Sequence, residues 1–427
     1  MRIVVVSQNY PRTGSSSDGI FIHRLNRGLV RLGAQITVLQ LAQWAPPWPF
    51  CNLLDDWRAD RERRRSFLSE LDGIRIHHPT AIAPRPSRFF HGDHWERDGR
   101  ALVRHCKRRK ELATADVVLS HFLVPDGFHG LRLAQALGVP SVAMAWGDDV
   151  HAWPASRDYW RRRLVEVLRR STTLVACSQA LANDGNAWID EPRSWQVVYG
   201  GVDLDRFAPV ADPVSYRRGA IPEIPELFAP DAKVLLMLAQ PVRAKGYVEM
   251  LDAWNTVARQ APAWHLVMAG GNWSELDIPH EIQVRGLIGR AHWLGARQAE
   301  AIPDLMRASN GFVLPSHNEG LSLSVLEAMA TGLPTIATSV GGHAEAIRSP
   351  SDGWLIPPGS VPALVQALQE LTSSPAERAR RGQAARAAAG RIGSPGENAE
   401  RLHRVLDETV SEWHAEKRYG VGRRVPA

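Results

Sequence analysis

Twice along this chain a short aliphatic run gives way to an amphipathic helical stretch and then to another aliphatic run. That alternation restricts the fold more than any other feature. The first series opens immediately. Residues 2–7 are β-branched, and residues 8–19 are polar and turn-rich. Ile20, Leu25, Leu29 and Leu32 then recur on one helical face, and Gly33 stops the helix. Residues 35–41 read as a second strand, and further strands are expected at 117–120, 141–145 and 173–177. A second series starts near residue 232, with strands at 233–239, 264–269, 311–314 and 335–338. Helices are expected at 247–259, 302–308, 322–330, 362–371, 376–389 and 399–413. Strand–helix–strand units give parallel sheets covered on both faces. The pattern therefore predicts an α/β protein of two Rossmann-like, doubly wound domains facing a central cleft. The Pro-rich stretch 203–230 reads as the linker between them. Domains are expected at 1–203 and 204–395, with 396–427 forming a C-terminal helix that crosses back to the first domain.

Composition supports this. Of 427 residues, 44% are hydrophobic and 22% charged, enough for large cores and unlike a disordered chain. Three scattered cysteines (Cys51, Cys106, Cys177) suit neither a disulfide framework nor a thiolate metal site, and fit a reducing compartment. The apolar run at residues 3–6 is shorter than a signal-peptide core, and no membrane-spanning run follows. A cytoplasmic protein is expected, at most peripheral at the inner face of the membrane. Residues 1–200 hold 28 Lys and Arg against 20 Asp and Glu, whereas residues 201–427 hold 23 against 25. The basic clusters at 58–65, 104–110 and 157–170 suit solvated helix faces, or contact with anionic lipid or a phosphorylated substrate. No nucleic-acid module is recognisable, so no nucleic-acid partner is expected. Trp44, Trp48, Phe50, Leu53, Leu54 and Trp57, followed by the first cluster, form either an interfacial patch or a packed lid. Weak peripheral membrane association is expected from them.

The densest chemical signal is residues 316–334, Ser-His-Asn-Glu-Gly-Leu-Ser-Leu-Ser-Val-Leu-Glu-Ala-Met-Ala-Thr-Gly-Leu-Pro. A strand ends, a polar loop follows, and a helix opens near Ser322. Free N–H groups at a helix start favour an anion, and Gly320 lets backbone approach a ligand closely. Glu319 and Glu327 accept hydrogen bonds from hydroxyl groups. Together these suit a sugar nucleotide; the plainer reading is an acidic cap and a salt-bridged glutamate. Arg243 and Lys245, in the loop after the first strand of the second series, supply counter-charge for a diphosphate or form a basic surface turn.

The spacing Glu319-x7-Glu327 with Gly320 between resembles the signature of the family 4 glycosyltransferases of GT-B fold. Residues 327–334 (Glu-Ala-Met-Ala-Thr-Gly-Leu-Pro), 340–345 (Val-Gly-Gly-His-Ala-Glu) and 353–359 (Gly-Trp-Leu-Ile-Pro-Pro-Gly) continue the likeness. So do Ser178, Gly201-Val202-Asp203, Arg206-Phe207 and Lys245-Gly246. Asp18-Gly19 resembles the family's acceptor loop.

The resemblance implies a retaining, metal-independent enzyme that moves a sugar from a nucleoside-diphosphate donor to a glycan or lipid-linked acceptor. The implied setting is polysaccharide assembly for a bacterial cell envelope. No cofactor is implied beyond the sugar nucleotide as co-substrate. Glu319, Lys245 and Arg243 would be catalytic, with Glu319 facing the donor sugar. Gln240, Glu327 and the amides of Gly320, Leu321 and Ser322 would hold the donor, with Glu327 on the ribose. Asp18, Gly19, His121, Trp146 and Asp148 would line the acceptor side. Two positions depart from the family pattern. Trp146, in Ala-Trp-Gly-Asp-Asp-Val (145–150), stands where a histidine is common, and Gln240 where an arginine is usual. These departures motivate a rival reading, a degenerate scaffold that binds nucleotide or membrane; an epimerase or phosphorylase on the same fold is a further alternative. Asp203-Leu204-Asp205 spells an acidic metal motif, and His77-His78, His91 and His94 lack a third partner at fixed spacing. No metal site is expected.

Overall fold

The computed structural model describes residues 1–13, 19–44, 55–81, 95–271 and 274–419. Asp18, His91, His94, Cys51 and the stretch from Trp48 to Leu54 lie outside them. The chain forms two compact units, Met1–Tyr199 with Gly396–Ala427, and Gly200–Pro395.

The strands of the first unit are β1 (Arg2–Val6), β2 (Gln35–Leu39), β3 (Ala42–Gln43), β4 (Glu70–Leu71), β5 (Ile74–His77), β6 (Thr80–Ala81), β7 (Val117–His121), β8 (Ser141–Ala145), β9 (Thr173–Ala176) and β10 (Trp195–Val197). Among the described residues they make a sheet of order β10-β9-β8-β7-β1-β2-β5-β4 and a small β3-β6 pair. The large sheet is parallel apart from the β4–β5 pair. Successive side chains of a strand point to opposite faces. Accordingly Ile3 and Val5 of β1 enter one core, with Leu25, Leu29 and Val38. Val4 and Val6 enter the other, with Leu102, Val118 and Leu133. The C-terminal helix Pro395–Tyr419 adds Ala399, Leu402 and Leu406 to the first core. Cys106 lies in the second core, where burial pushes its thiol up to about 12.

The second unit holds β11 (Lys233–Leu238), β12 (Trp264–Ala269), β13 (Ala291–Trp293), β14 (Gly311–Leu314), β15 (Thr335–Thr338) and β16 (Trp354–Ile356), all parallel, in the order β13-β12-β11-β14-β15-β16. β11 lies between β12 and β14, so the strand order reverses between β11 and β14. In open parallel sheets ligands bind outside the carboxyl ends of the strands at such a reversal.

The segment read as a linker, 203–230, is instead packed structure within the second unit. It carries the helix Val214–Ala220, and Arg217 is completely buried. The Arg217 guanidinium donates to the carbonyls of Ala308 (3.2 Å), Leu227 (2.7 Å) and Ala232 (3.0 Å) and to Asn310 Oδ1 (2.8 Å). Buried arginine survives there because its donors are satisfied by oxygen atoms. Within the acidic triplet, Asp203 accepts from the backbone N–H of Asp205 (3.1 Å) and Arg206 (2.9 Å), which makes it a turn cap. Among the described residues no helix is long and apolar enough to cross a membrane, and no group of three or more His, Cys, Asp or Glu is placed to hold a metal.

Candidate active site

Three loops meet at the carboxyl ends of β11, β14 and β15. The loop after β14 is tied to the loop after β11 by the His317 N–H, which donates to the Ala244 carbonyl at 2.8 Å. Gly246 closes the β11 loop with φ +75°, and a Cβ there would run into the Pro315 carbonyl oxygen. Only glycine meets both conditions without strain. The third loop joins through Gly342 N–H to Gly320 O at 2.7 Å and through Thr338 Oγ1 to Ser316 O at 2.6 Å.

This junction brings Lys245 to Glu319. Lys245 Nζ lies 2.8 Å from Glu319 Oε1, with the side chains 21% and 11% exposed. Ser316 Oγ donates to the same carboxylate oxygen at 2.8 Å. Burial pushes the Glu319 carboxyl up, but Lys245, His343 and the two hydrogen bonds outweigh it and hold it below the usual carboxylate range. His343 is fully buried, and burial lowers its pKa against the opposing pull of Glu319. Its Nδ1 lies 3.0 Å from the Thr338 carbonyl, an acceptor, so Nδ1 carries the proton of the neutral ring. The site therefore contains a charged Lys–Glu pair beside a neutral imidazole.

The remaining residues expected on the donor side lie on the β11 loop, the β14 loop and the helix that follows it. Gly320 and Ser322 are buried and Leu321 half-buried. Ser322 precedes the helix Leu323–Ala330 in extended conformation, and its hydroxyl contacts Ser324 Oγ at 3.1 Å instead of capping the first turn. Glu327 sits in the second turn of that helix and is half-buried. Arg243 and Gln240 lie exposed on the β11 loop. The Arg243 backbone N–H donates to Glu275 Oε2 at 3.1 Å, and among the described residues its guanidinium has no ion-pair partner.

In the first unit the corresponding reversal lies between β1 and β7. Gly19 (φ +61°) starts the helix Ile20–Arg31 pressed against the loop after β1, where a Cβ would strike the Asn9 carbonyl. Trp146, half-buried at the end of β8, packs edge-on to Phe21 with centroids 4.6 Å apart. Its indole N–H donates to His121 Nδ1 at 3.3 Å. His121, expected on the acceptor side, is the partner of that indole N–H. The residue is fully buried, and burial lowers its pKa to about 3, which leaves a neutral ring that positions Trp146. Asp148 is exposed. The neighbour that sequence reasoning passed over, Asp149, is completely buried and accepts from the backbone N–H groups of Leu123 (2.7 Å), Trp146 (3.1 Å) and Gly147 (2.8 Å). Asp126, equally buried, accepts from Gln8 N–H at 2.9 Å. Two carboxyl groups thus fasten the loops after β1, β7 and β8.

The family model described as Glycosyl transferases group 1 matches residues 223–388, and that described as Glycosyltransferase Family 4 matches residues 19–206. The chain belongs to the family 4 glycosyltransferases. This glycosyltransferase is 26% identical over 408 residues to a protein named glycogen synthase from Mycobacterium tuberculosis, covering 90% of this chain and 89% of that one. The sucrose-phosphate synthase of Thermosynechococcus elongatus superposes with a TM-score of 0.75 at 19% identity, covering 96% of this chain and 99% of the other. Anabaena HepE, solved in complex with UDP and glucose, superposes with a TM-score of 0.71 at 18% identity over 96% and 100% of the two chains. At these identities the structural likeness shows the fold, which is GT-B. Of the residues named from sequence, this glycosyltransferase brings Lys245, Glu319, Gly320 and Ser322 together at one loop junction. Ser316 and His343 join them without having been singled out. Their signal was present, since both lie within quoted motif stretches, but neither a lone serine nor a lone histidine declares its partner.

Proposed function

We propose that the enzyme transfers a sugar from a nucleoside-diphosphate sugar to a glycan or lipid-linked acceptor, with retention of anomeric configuration and without a metal ion. The observation that carries this reading is the Lys245–Glu319 pair, 2.8 Å apart at the strand-order reversal of the second unit and beside the backbone of Gly320, Leu321 and Ser322. Anabaena HepE, of the same fold, is described with UDP-glucose bound, which favours a donor of that class.

In this reading the diphosphate lies against the Gly320–Ser322 amides, and Glu327 accepts the ribose hydroxyls. Glu319 accepts hydroxyls of the donor sugar. As the bond between the sugar C1 and the phosphate oxygen breaks, negative charge grows on the β-phosphate. Lys245 and Arg243 neutralise it, and fixed charges of this kind require no reorganisation at the moment of reaction. The acceptor hydroxyl forms the new bond to C1 from the face the phosphate leaves, and its proton passes to the departing phosphate. Bond formation on that same face gives retention. Gly19, Trp146 and Asp148 contact the acceptor in this proposal. The enzyme works in the cytoplasm, with weak attachment to the inner membrane face through the basic first unit.

The test is a transfer assay with UDP-, GDP- and ADP-sugars in the presence of EDTA, followed by NMR of the product anomer. The reading expects nucleotide release and a retained anomeric centre. No release from any donor, an inverted product, or activity abolished by EDTA would contradict it.

A further inference from the structure

Lys245 and Glu319 sit on different loops, and His317 joins those loops twice. Lys245 lies in the loop after β11, and the helix Tyr247–Gln260 begins two residues later. Glu319 lies in the loop after β14, two residues beyond His317. The His317 backbone N–H donates to the Ala244 carbonyl at 2.8 Å. Its ring Nε2 lies 2.9 Å from Oε1 of Glu249, in the first turn of that helix. A carboxylate only accepts, so Nε2 carries a proton there. Ala244 and Glu249 stand on either side of Lys245 in the chain, so the two bonds bracket the lysine. Across the junction Ser316 and Glu319 bracket His317, and Ser316 Oγ and Lys245 Nζ each lie 2.8 Å from Glu319 Oε1. The loop after β16 borders the ring as well, since a Cβ on Gly359 would lie 3.7 Å from His317 Cε1.

As a contribution to stability the ring contact is small. The His317 and Glu249 side chains are 38% and 23% exposed, and contacts of that exposure add little to a fold. Its place is what distinguishes it. In the proposed reading a diphosphate draws the Lys245 ammonium away from Glu319. That loosens one tie between the two loops at the step where their spacing matters. The two ties from His317 use no group that the donor takes, so they persist when the Lys245–Glu319 contact opens. Spacing of this kind counts in catalysis, because a misplacement of about 1 Å can cost about 10²-fold in rate even when its origin is remote from the reacting atoms.

We propose that His317 is a positioning residue for Lys245, holding the β11 and β14 loops at the spacing in which one ammonium serves first Glu319 and then the donor diphosphate. The proposal rests on the reading that the donor is a nucleoside-diphosphate sugar. His317 itself touches neither donor nor acceptor in this account; it acts through the lysine.

The test uses the full chain and the variants His317→Ala, His317→Gln, Glu249→Ala and the double alanine variant. Nucleotide release from UDP-glucose, GDP-mannose and ADP-glucose is measured without acceptor, and UDP, GDP and ADP are titrated by calorimetry. His317→Ala is expected to lower kcat/KM about tenfold for the donor that wild type uses. It also weakens the matching nucleotide about fivefold, while the melting temperature moves by no more than about 3 °C. Glu249→Ala gives the same losses, and the double variant loses no more than either, because both remove one contact. His317→Gln keeps a side-chain N–H for Glu249 and recovers most of the activity. The decisive comparison is made in a Lys245→Met background, where a residue that acts through the lysine has nothing left to position and His317→Ala lowers nucleotide affinity no further. Unchanged kcat/KM in His317→Ala, a loss that His317→Gln does not recover, or an equal loss of affinity with and without Lys245 overturns the proposal. The two readings fail separately. A wild type that turns over donor and is indifferent to His317→Ala sinks the positioning role alone, whereas a wild type that releases nucleotide from none of the three sugars sinks the donor reading and the positioning role with it.

Discussion

Lys245 holds its ammonium 2.8 Å from Glu319 Oε1, the same oxygen that accepts the Ser316 hydroxyl. The carboxylate is thereby kept ionised in a nearly closed setting, and Lys245 is kept in place over the sheet with its charge balanced. A diphosphate bound as proposed would compete with Glu319 for that ammonium, which would couple donor binding to the pair.

Replacement of both partners separates a structural from a catalytic role. Lys245→Met alone leaves the Glu319 charge poorly compensated and is expected to destabilise the fold by about 1–3 kcal/mol. It also lowers turnover by roughly 10²–10³-fold, as loss of one preorganised charge stabiliser does. Adding Glu319→Gln restores much of the melting temperature but none of the turnover. Recovery of turnover in the double variant would show that Lys245 serves only to neutralise Glu319.

Arg243 and Gln240 share the exposed β11 loop, and only Arg243 carries charge. A guanidinium reaches far enough to replace the cation usual at position 240. Arg243→Ala is expected to cost on the order of 2–4 kcal/mol in kcat/KM, whereas Gln240→Arg changes little. A neutral Arg243→Ala together with a strong gain from Gln240→Arg would mean that the native site works with one cation.

Asp149 gives the first unit a pH dependence. Burial moves its carboxyl from an ordinary 3.8 up to about 6, against the N–H groups of Leu123, Gly147 and Trp146, which favour the ionised form. The carboxyl beside it, Asp126, is pushed well up by burial, and His121 stays neutral because burial lowers its pKa to about 3. Ionised Asp149 accepts all three N–H groups, so turnover should rise with pH through about 6. Stability runs the other way. The folded carboxyl binds its proton more tightly than the unfolded one, so this group costs stability progressively as pH rises from about 4 to about 6. Asp149→Asn should remove both trends and set an amide against the Leu123 N–H, at about 1–3 kcal/mol. Rate and melting profiles between pH 4 and 8 that coincide for wild type and variant would rule this out.

How much of this was legible in the sequence depends on how local the signal is. β8, β12 and β14 were readable because three or four consecutive buried apolar residues, 142–145, 266–269 and 312–314, leave an unbroken apolar run. β13 and β16, at three residues each, are too short to show a period. The loop residues Lys245, Glu319 and Gly320 stood out because charged residues and glycine at strand ends have a chemical reading. Asp149 did not, since nothing in the residue types separates it from Asp148; the distinction is made by the Leu123 amide of another loop together with the Trp146 and Gly147 amides of its own. The stretch 203–230 looked like a linker because prolines and polar residues dominate it, yet Arg217 buries itself on carbonyls from residues up to 91 positions away.

Weak membrane attachment is the outcome expected from charge. Trp44 is 40% exposed, and the helix Asp55–Arg65 ends on Arg63, Arg64 and Arg65. Flotation with vesicles containing anionic lipid is expected at low salt and lost above about 0.3 M salt, where screening shortens the reach of each charge to a few ångströms. Equal flotation on neutral and anionic vesicles, or none at low salt, would contradict it.

In the proposed reading the second unit holds a nucleoside diphosphate at the β11–β14 reversal, with Glu327 on its ribose. Calorimetric titration of UDP, GDP and ADP into wild type and Glu327→Ala tests it most directly. The account predicts saturable binding of at least one of the three. It predicts weakening by about 1–3 kcal/mol in the variant, the cost of leaving buried hydroxyls unpaired. Unchanged affinity in a folded Glu327→Ala protein, or no binding of any of the three to wild type, would contradict it.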